Sequence, residues 1–369
     1  MQLIVPIRTH PDADVTRAYY LRDTASLTGR LHSHYLITPD LLNFTNFCCY
    51  QRTADTLLDF QDAGRIKEKV GRNVSRLDGN SASLGKMGQP REGTAGGRDR
   101  PYDDLYVYLL RGIVKENEEV GLSESYVGNW VEENNSFLFF SKPANQALAR
   151  LLRARSDLEV LDEYHFTYDQ WQSGSLKPSK VADFIITPTW EKTDDSEEGI
   201  TIILDPGVVF GNGLHPTTRD CLKAIYYTGR QRSFERVIDL GTGTGILALA
   251  TAHLGAKTVL AVDLNPLCVK TAKENVRLNN LGKIIRVVEG AAENFAEVPA
   301  DLVIANIHYE LIKRLLKIEG FLNRDRLVIS GLMRSQVREL RGDLGRHDFH
   351  IQKEWDHEMT WFTILAVKK

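Results

Sequence analysis

From residue 236 onward the apolar positions fall into two alternating rhythms. Short apolar runs, "RVIDL", "TVLAVD", "IIRVV", "DLVIANI" and "RLVISGL", have the length and β-branched content of buried strands. Between them, "GILALATAHLG", stopped by Gly255, "PLCVKTAKENVRLNN", opened by Pro266, and "ELIKRLLKIEGFL" carry the spacing of helices. The final "WFTILAVKK" predicts one more strand. Strands alternating with helices call for a largely parallel sheet covered on both faces, a doubly wound α/β domain over 201–369.

The pattern before residue 200 is different. "YDDLYVYLLRGIV" is an aromatic and aliphatic run, and "SYVGNWVEENNSFLFFS" predicts two strands, Tyr126 to Glu132 and Phe137 to Phe140, joined by a turn at Asn134-Asn135. "NQALARLLRAR" has helix-forming composition and places Leu148, Leu151 and Leu152 on one face. A small α+β module over 102–172 follows, with a connector over 173–200 that holds a short strand "FIIT" and an acidic loop. Residues 71–101 read as a flexible linker, since 71–100 hold seven Gly and few large apolar residues to offset ordering entropy. Residues 1–70 form an unassigned extension with some helical matter, "ADTLLDFQDAGRIKEKV".

Composition narrows the classes. At 369 residues, 42% hydrophobic and 26% charged, the chain reads as globular and of more than one domain. No apolar run approaches the roughly 18 to 20 residues of a membrane span. The first residues, "MQLIVPIRTHPDAD", hold too short an apolar run for a secretory signal. A cytoplasmic monomer is the expectation. Cys48, Cys49, Cys221 and Cys268 show no C-x-x-C spacing, so neither zinc nor a disulfide framework is expected. Net charge is −3, yet 102–200 carry 9 Lys and Arg against 19 Asp and Glu. An acidic module suits a basic protein surface as partner and argues against contact with nucleic acid there, and no direct nucleic-acid binding is expected.

The chemistry concentrates after the first strand of the α/β domain. "DLGTGTG", Asp239 to Gly245, is a tight turn where glycines let backbone approach a ligand. Asp263 lies 22 residues beyond Gly241, at the end of the second strand, where a carboxylate can accept the two hydroxyls of a ribose. A dinucleotide fingerprint needs its third Gly three residues after the second, and here Ile246 stands in that place. The G-x-G-x-G form with an acidic strand end instead suits S-adenosylmethionine, with Gly241 and Gly243 against its methionyl part. A domain that holds a nucleoside without catalysis, and a methyltransferase for a small molecule or another protein, stay open at this point.

"DPGVVFGNGLHPTT", "VIDLGTGTGILALATAHLGAKTVLAVDLNP", "DLVIANI" and "LVISGLM", in this order and spacing, resemble the PrmA family, methyltransferases of large-subunit ribosomal protein eleven. The likeness is strong over 201–369 and weaker through 102–200, where "YDQW" precedes a Lys-Pro pair. It implies a Rossmann-like seven-stranded methyltransferase domain preceded by a substrate-recognition module. It also implies an S-adenosylmethionine-dependent protein N-methyltransferase whose cofactor meets Thr218, Gly241, Gly243, Asp263 and Asn306. The acceptors would be lysine side chains or the N-terminal amine of a basic ribosomal protein, with Asn306 the catalytic residue. The loop from Phe210 to Thr218 would close over the cofactor, with His215 shaping it. The chain departs from the family's usual residues at Thr242, Thr244, Asn212, Leu214, His308 and Tyr309, the last four bearing on the shape of the acceptor pocket.

Overall fold

The computed structural model describes residues 99–369 apart from 120, 121, 194, 195 and 197. The expected helical matter before residue 70, Cys48 and Cys49, and all but the last three residues of the glycine-rich stretch lie outside the described residues. The first sheet is antiparallel in the order β2-β3-β1-β4. It comprises β1 (Asp104–Arg111), β2 (Tyr126–Glu132), β3 (Asn135–Phe140) and β4 (Glu159–Thr167), with α1 (Glu116–Glu119) after β1 and α2 (Asn145–Ala154) after β3.

Side-chain alternation gives this sheet two buried faces. Tyr108, Leu110, Leu138 and Phe140 point one way, against Leu148 and Leu151 of α2. Leu105, Val107, Phe137 and Phe139 point the other way, against Val208, Val209, Leu267 and Cys268 of the downstream chain. The hairpin turn sits at Glu133-Asn134, one residue earlier than the Asn pair suggests, because Glu132 pairs with Asn135 and Glu133 takes the positive φ of 52°.

After α3 (Tyr168–Trp171), closed by a capping box between Thr167 and Gln170, come β5 (Ser179–Val181), β6 (Phe184–Pro188) and β7 (Ile200–Leu204). These three make a small sheet whose Val181, Phe184 and Ile186 join the core of the α/β domain. The stretch between the module and the α/β domain is therefore packed structure.

The main sheet has the order β10-β9-β8-β11-β12-β14-β13. Its elements are α4 (Pro216–Gln231), β8 (Arg236–Leu240), α5 (Ile246–His253), β9 (Thr258–Asp263), α6 (Pro266–Leu278), β10 (Ile285–Glu289), β11 (Leu302–Asn306), α7 (Tyr309–Leu315), α8 (Glu319–Leu322), β12 (Arg326–Leu332), α9 (Arg334–Arg346), β13 (Phe349–His357) and β14 (Trp361–Lys368). Neighbours from β10 to β12 are parallel, and β14 runs antiparallel to both β12 and β13. Successive strand residues go to opposite cores: Val237, Val259, Leu302 and Val328 to one, Ile238, Val262, Val303 and Leu327 to the other. This is the Rossmann-like, doubly wound α/β arrangement that the alternating pattern implies.

Two elements differ from the pattern. The single helix expected over "ELIKRLLKIEGFL" is broken at Ile318, which takes an extended conformation. Leu315 and Leu316 stand six residues before Phe321 and Leu322, about 240° round a straight helix; the break lets both pairs enter one core. Strand β13 escaped the pattern because only Phe349 on it is buried, and its charged outer edge guards against pairing.

Gly128 of β2 fixes how closely the module approaches α6. A Cβ there would stand 2.6 Å from Leu267 Cδ1, which is buried. Gly128→Val is expected to cost about 1–3 kcal/mol through overpacking, read from urea unfolding; an unchanged midpoint would mean that the contact is slack.

Candidate functional site

The central sheet changes winding direction between β8 and β11, and ligands bind beyond the carboxyl ends of strands at such a switch point. The turn after β8 lies there. Gly241, Gly243 and Gly245 have φ of 71°, 55° and 86°, a region that favours glycine. Contact reinforces the requirement, since a Cβ would stand 2.3 Å from Ile307 Cγ2 at Gly241 and 2.5 Å from the Phe210 carbonyl oxygen at Gly243.

Every amide of this turn is used within the protein. Gly241 and Thr242 donate to the Val262 carbonyl, Gly243 to Asp263 Oδ2, Thr244 to the Phe210 carbonyl and Gly245 to the Thr242 carbonyl. A pyrophosphate cradle needs such amides free, so this turn does not offer one. Asp263 accepts from Gly243 at 2.9 Å and from the Asn265 amide at 2.9 Å, one bond on each oxygen. Each oxygen keeps capacity for a further donor such as a ribose hydroxyl. Burial raises the Asp263 carboxyl above its ordinary range, and those two amides oppose the rise.

Opposite the turn, the 205–215 loop feeds α4. His215, expected only to shape the loop, is the N-cap of that helix, its Nδ1 accepting from the Thr217 amide at 3.3 Å. Neither Thr217 nor Thr218 caps it. Burial, then the nearby His357, push the His215 imidazole down to about 4, so the ring is neutral. With Nδ1 an acceptor, the Thr217 hydroxyl at 2.7 Å donates to it and accepts from Asn306 Nδ2 at 3.3 Å. This chain fixes the Asn306 amide and leaves Oδ1 for an incoming donor. Gly331, with φ of 80°, keeps room beside that oxygen, since a Cβ there would stand 3.5 Å from it. Thr218 Oγ1, buried at the helix start, has no hydrogen-bond partner among the described residues.

The candidates thus gather round one place. Gly243 touches Asp263, Gly241 abuts Ile307 beside Asn306, and Asn306 bonds Thr217 beside Thr218. An orphaned hydroxyl, a cradle that any Cβ would fill and a half-buried carboxylate fit a nucleoside with a small zwitterionic tail. No group of three or more His, Cys, Asp or Glu suited to a metal occurs among the described residues, and no helix among them is long and apolar enough to cross a membrane.

A family model described as ribosomal protein L11 methyltransferase (PrmA) matches residues 114–369. The chain belongs to the PrmA family. A ribosomal protein L11 methyltransferase of Geobacillus kaustophilus is 37% identical over 212 residues, covering 54% of this chain and 65% of that protein. One of Clostridium botulinum (strain Eklund 17B / Type B) is 40% identical over 196 residues, covering 52% and 61%. The crystal structure of ribosomal protein L11 methylase from Lactobacillus delbrueckii subsp. bulgaricus is 30% identical with a TM-score of 0.46, covering 53% of this chain and all of that one. The chain spans 61 to 65% of the length of these two curated PrmA relatives.

Some positioning residues of this PrmA member escape the motifs. Asn275 is fully buried on the inner face of α6: its Oδ1 accepts from the Asp205 amide, and its Nδ2 donates to the Asp205 and Thr244 carbonyls. One turn on, Asn279 makes the same paired bonds to Ile203. An Asn in the apolar stripe of a helix is the available signal, because buried amides need partners. Asp239, which does open the glycine-turn motif, is fully buried behind the turn and accepts from the Thr242 hydroxyl at 2.6 Å.

Burial pushes the Asp239 carboxyl up to about 7, with the Thr242 hydroxyl opposing it. In the unfolded chain it ionises near about 3.9. Between those values the folded chain holds a proton that the unfolded chain has lost, so stability falls as pH rises from about 4 to about 7. Asp239→Asn, which keeps an acceptor for Thr242, should remove this fall, measured as the difference in urea stability between the two chains at each pH. Parallel pH profiles would show that the buried carboxyl is ionised throughout.

Proposed function

We propose that the chain is an S-adenosylmethionine-dependent protein N-methyltransferase acting on amines of a basic ribosomal protein of the L11 type. The observation that carries the reading is the pairing of a glycine turn, its amides already used, with Asp263 at the next strand end. Thr218, Gly241, Gly243 and Asp263 would hold the cofactor, with Asn306 at the edge between cofactor and acceptor. Bound there, the cofactor supplies a methyl group already activated on a sulfonium. The protein's own work is to align an amine and expose its lone pair.

A free lysine of pKa about 10.4 costs roughly 4.6 kcal/mol to deprotonate at pH 7. Asn306 Oδ1 can accept from the amine without a negative charge that would favour the ammonium form, and Thr217 holds the amide in that orientation. The 102–172 module, with exposed Glu124, Glu133 and Glu163, would select a basic partner.

Calorimetry should show S-adenosylmethionine and its demethylated product binding, and NAD giving no heat. Asp263→Ala should weaken that binding by about 1.5 to 3 kcal/mol, the scale of hydrogen bonds to a charged group; tight NAD binding would sink the cofactor assignment.

Transfer itself tests the acceptor side. With saturating cofactor and an L11-type protein, Asn306→Ala should cut turnover by about tenfold or more, as a positioning contact is lost. The rate at low substrate should fall steeply with salt, because exposed complementary charges are screened over about 10 Å at 0.1 M. A salt-independent rate would remove the acidic module from substrate selection.

A further inference from the structure

A groove of about 470 Å³ lies away from the strand ends, between the C-terminal half of α4 and the edge strand β13. Its volume falls within the range of about 300 to 1,000 Å³ common to ligand clefts. Lys223, Tyr226, Tyr227 and Arg230 line it from the helix, at spacings that put them on neighbouring turns, and Lys353 and Trp355 line it from the strand. No acidic side chain lines it.

Cations and rings are interleaved. Lys353 Nζ stands 4.2 Å from the centroid of Tyr227 and 5.1 Å from that of Trp355, which meet edge to face at 6.1 Å. The cation–π contact holds the ammonium in the groove, where a free lysine would swing into solvent. Lys223 is engaged by the buried Asp220 at 2.7 Å, while neither Arg230 nor Lys353 has an ion-pair partner among the described residues. Two uncompensated cations and three aromatic side chains in one open groove match a ligand that alternates phosphates with flat rings.

We infer that this groove binds a short segment of single-stranded RNA, with Arg230 and Lys353 on its phosphates and a base against the tyrosine and tryptophan rings. An acidic peptide would use the two cations and leave the rings without stacking partners. The choice of RNA over DNA rests on the reading of the substrate as a ribosomal protein, whose own ligand is RNA. The 102–172 module contributes no residue to this groove, and the connector contributes Ala182. From Thr217 to Tyr227 the helix spans about 15 Å, placing a bound strand within reach of a protein held at the active site.

The test uses the full chain and fluorescently labelled ten-nucleotide oligoadenylate and oligouridylate RNA, read by anisotropy without cofactor. Saturable binding that weakens with salt is expected, together with quenching of Trp355 fluorescence. Arg230→Glu with Lys353→Glu should weaken it about tenfold or more through lost phosphate contacts. Tyr227→Leu, which keeps apolar bulk, should weaken it roughly fivefold or more, the scale of one lost stacked base. Circular dichroism melts check that the variants fold. Methylation of a free L11-type protein should be unchanged in all of them, so a failure of the groove is separable from a failure of the enzyme reading. Absence of RNA binding, binding that survives these changes in folded protein, equal binding of polyglutamate, or equal binding of DNA of the same sequence would each overturn the inference.

Discussion

The close approach of backbone to backbone at Gly243 is the constraint on which the rest of the site depends. Its φ of 55° and the 2.5 Å that a Cβ would leave to the Phe210 carbonyl mean that the turn and the 205–215 loop lie against one another with no side chain between. Thr244 closes the contact, its amide donating to the Phe210 carbonyl and its hydroxyl to that of Gly211. The loop so placed delivers His215 to the start of α4, and the cap there sets Thr217 and through it Asn306. A bulkier residue at 243 would separate the two walls of the site before it touched any ligand.

The same loop couples the small module to the α/β domain. Tyr168 and Gln172 both donate to the Gly207 carbonyl, and the Trp171 indole donates to that of Val208. Asn212 reaches back to the Gln172 carbonyl and side chain. The module's inner face shares one apolar cluster with Val208, Val209, Leu267 and Cys268. The module and the glycine turn are therefore physically linked through residues 207–212.

Legibility followed periodicity. Strands β8, β9, β11 and β12 are short apolar runs, α5 has a Gly stop at Gly255 and α6 opens on Asn265 and Pro266, so sequence alone predicts the α/β rhythm. Where one chain segment answers to a neighbour rather than to its own pattern, the prediction weakens. Ile318 breaks a helix so that two apolar pairs can share a core, and β13 is an exposed edge with almost no buried side. At the site, Gly241, Gly243, Asp263, Thr218 and Asn306 stood in motifs and do gather at the switch point. Asn275 did not stand out because its partners, Asp205 and Thr244, lie far along the chain, and the His215 cap, though local, uses a residue other than the Ser, Thr, Asn or Asp that helix starts favour.

Four ionisable groups round the site share one behaviour. Burial pushes the imidazoles of His215 and His308 down and the carboxyls of Asp239 and Asp263 up, each toward its uncharged form. Burial is the largest cause for each of the four. Under the proposed function, an amine brought to the site would meet the same desolvation, which lowers the pKa of a lysine as it lowers that of a histidine. A carboxylate at position 306 would counter that push by pairing with the ammonium, whereas the neutral Asn306 amide leaves it intact.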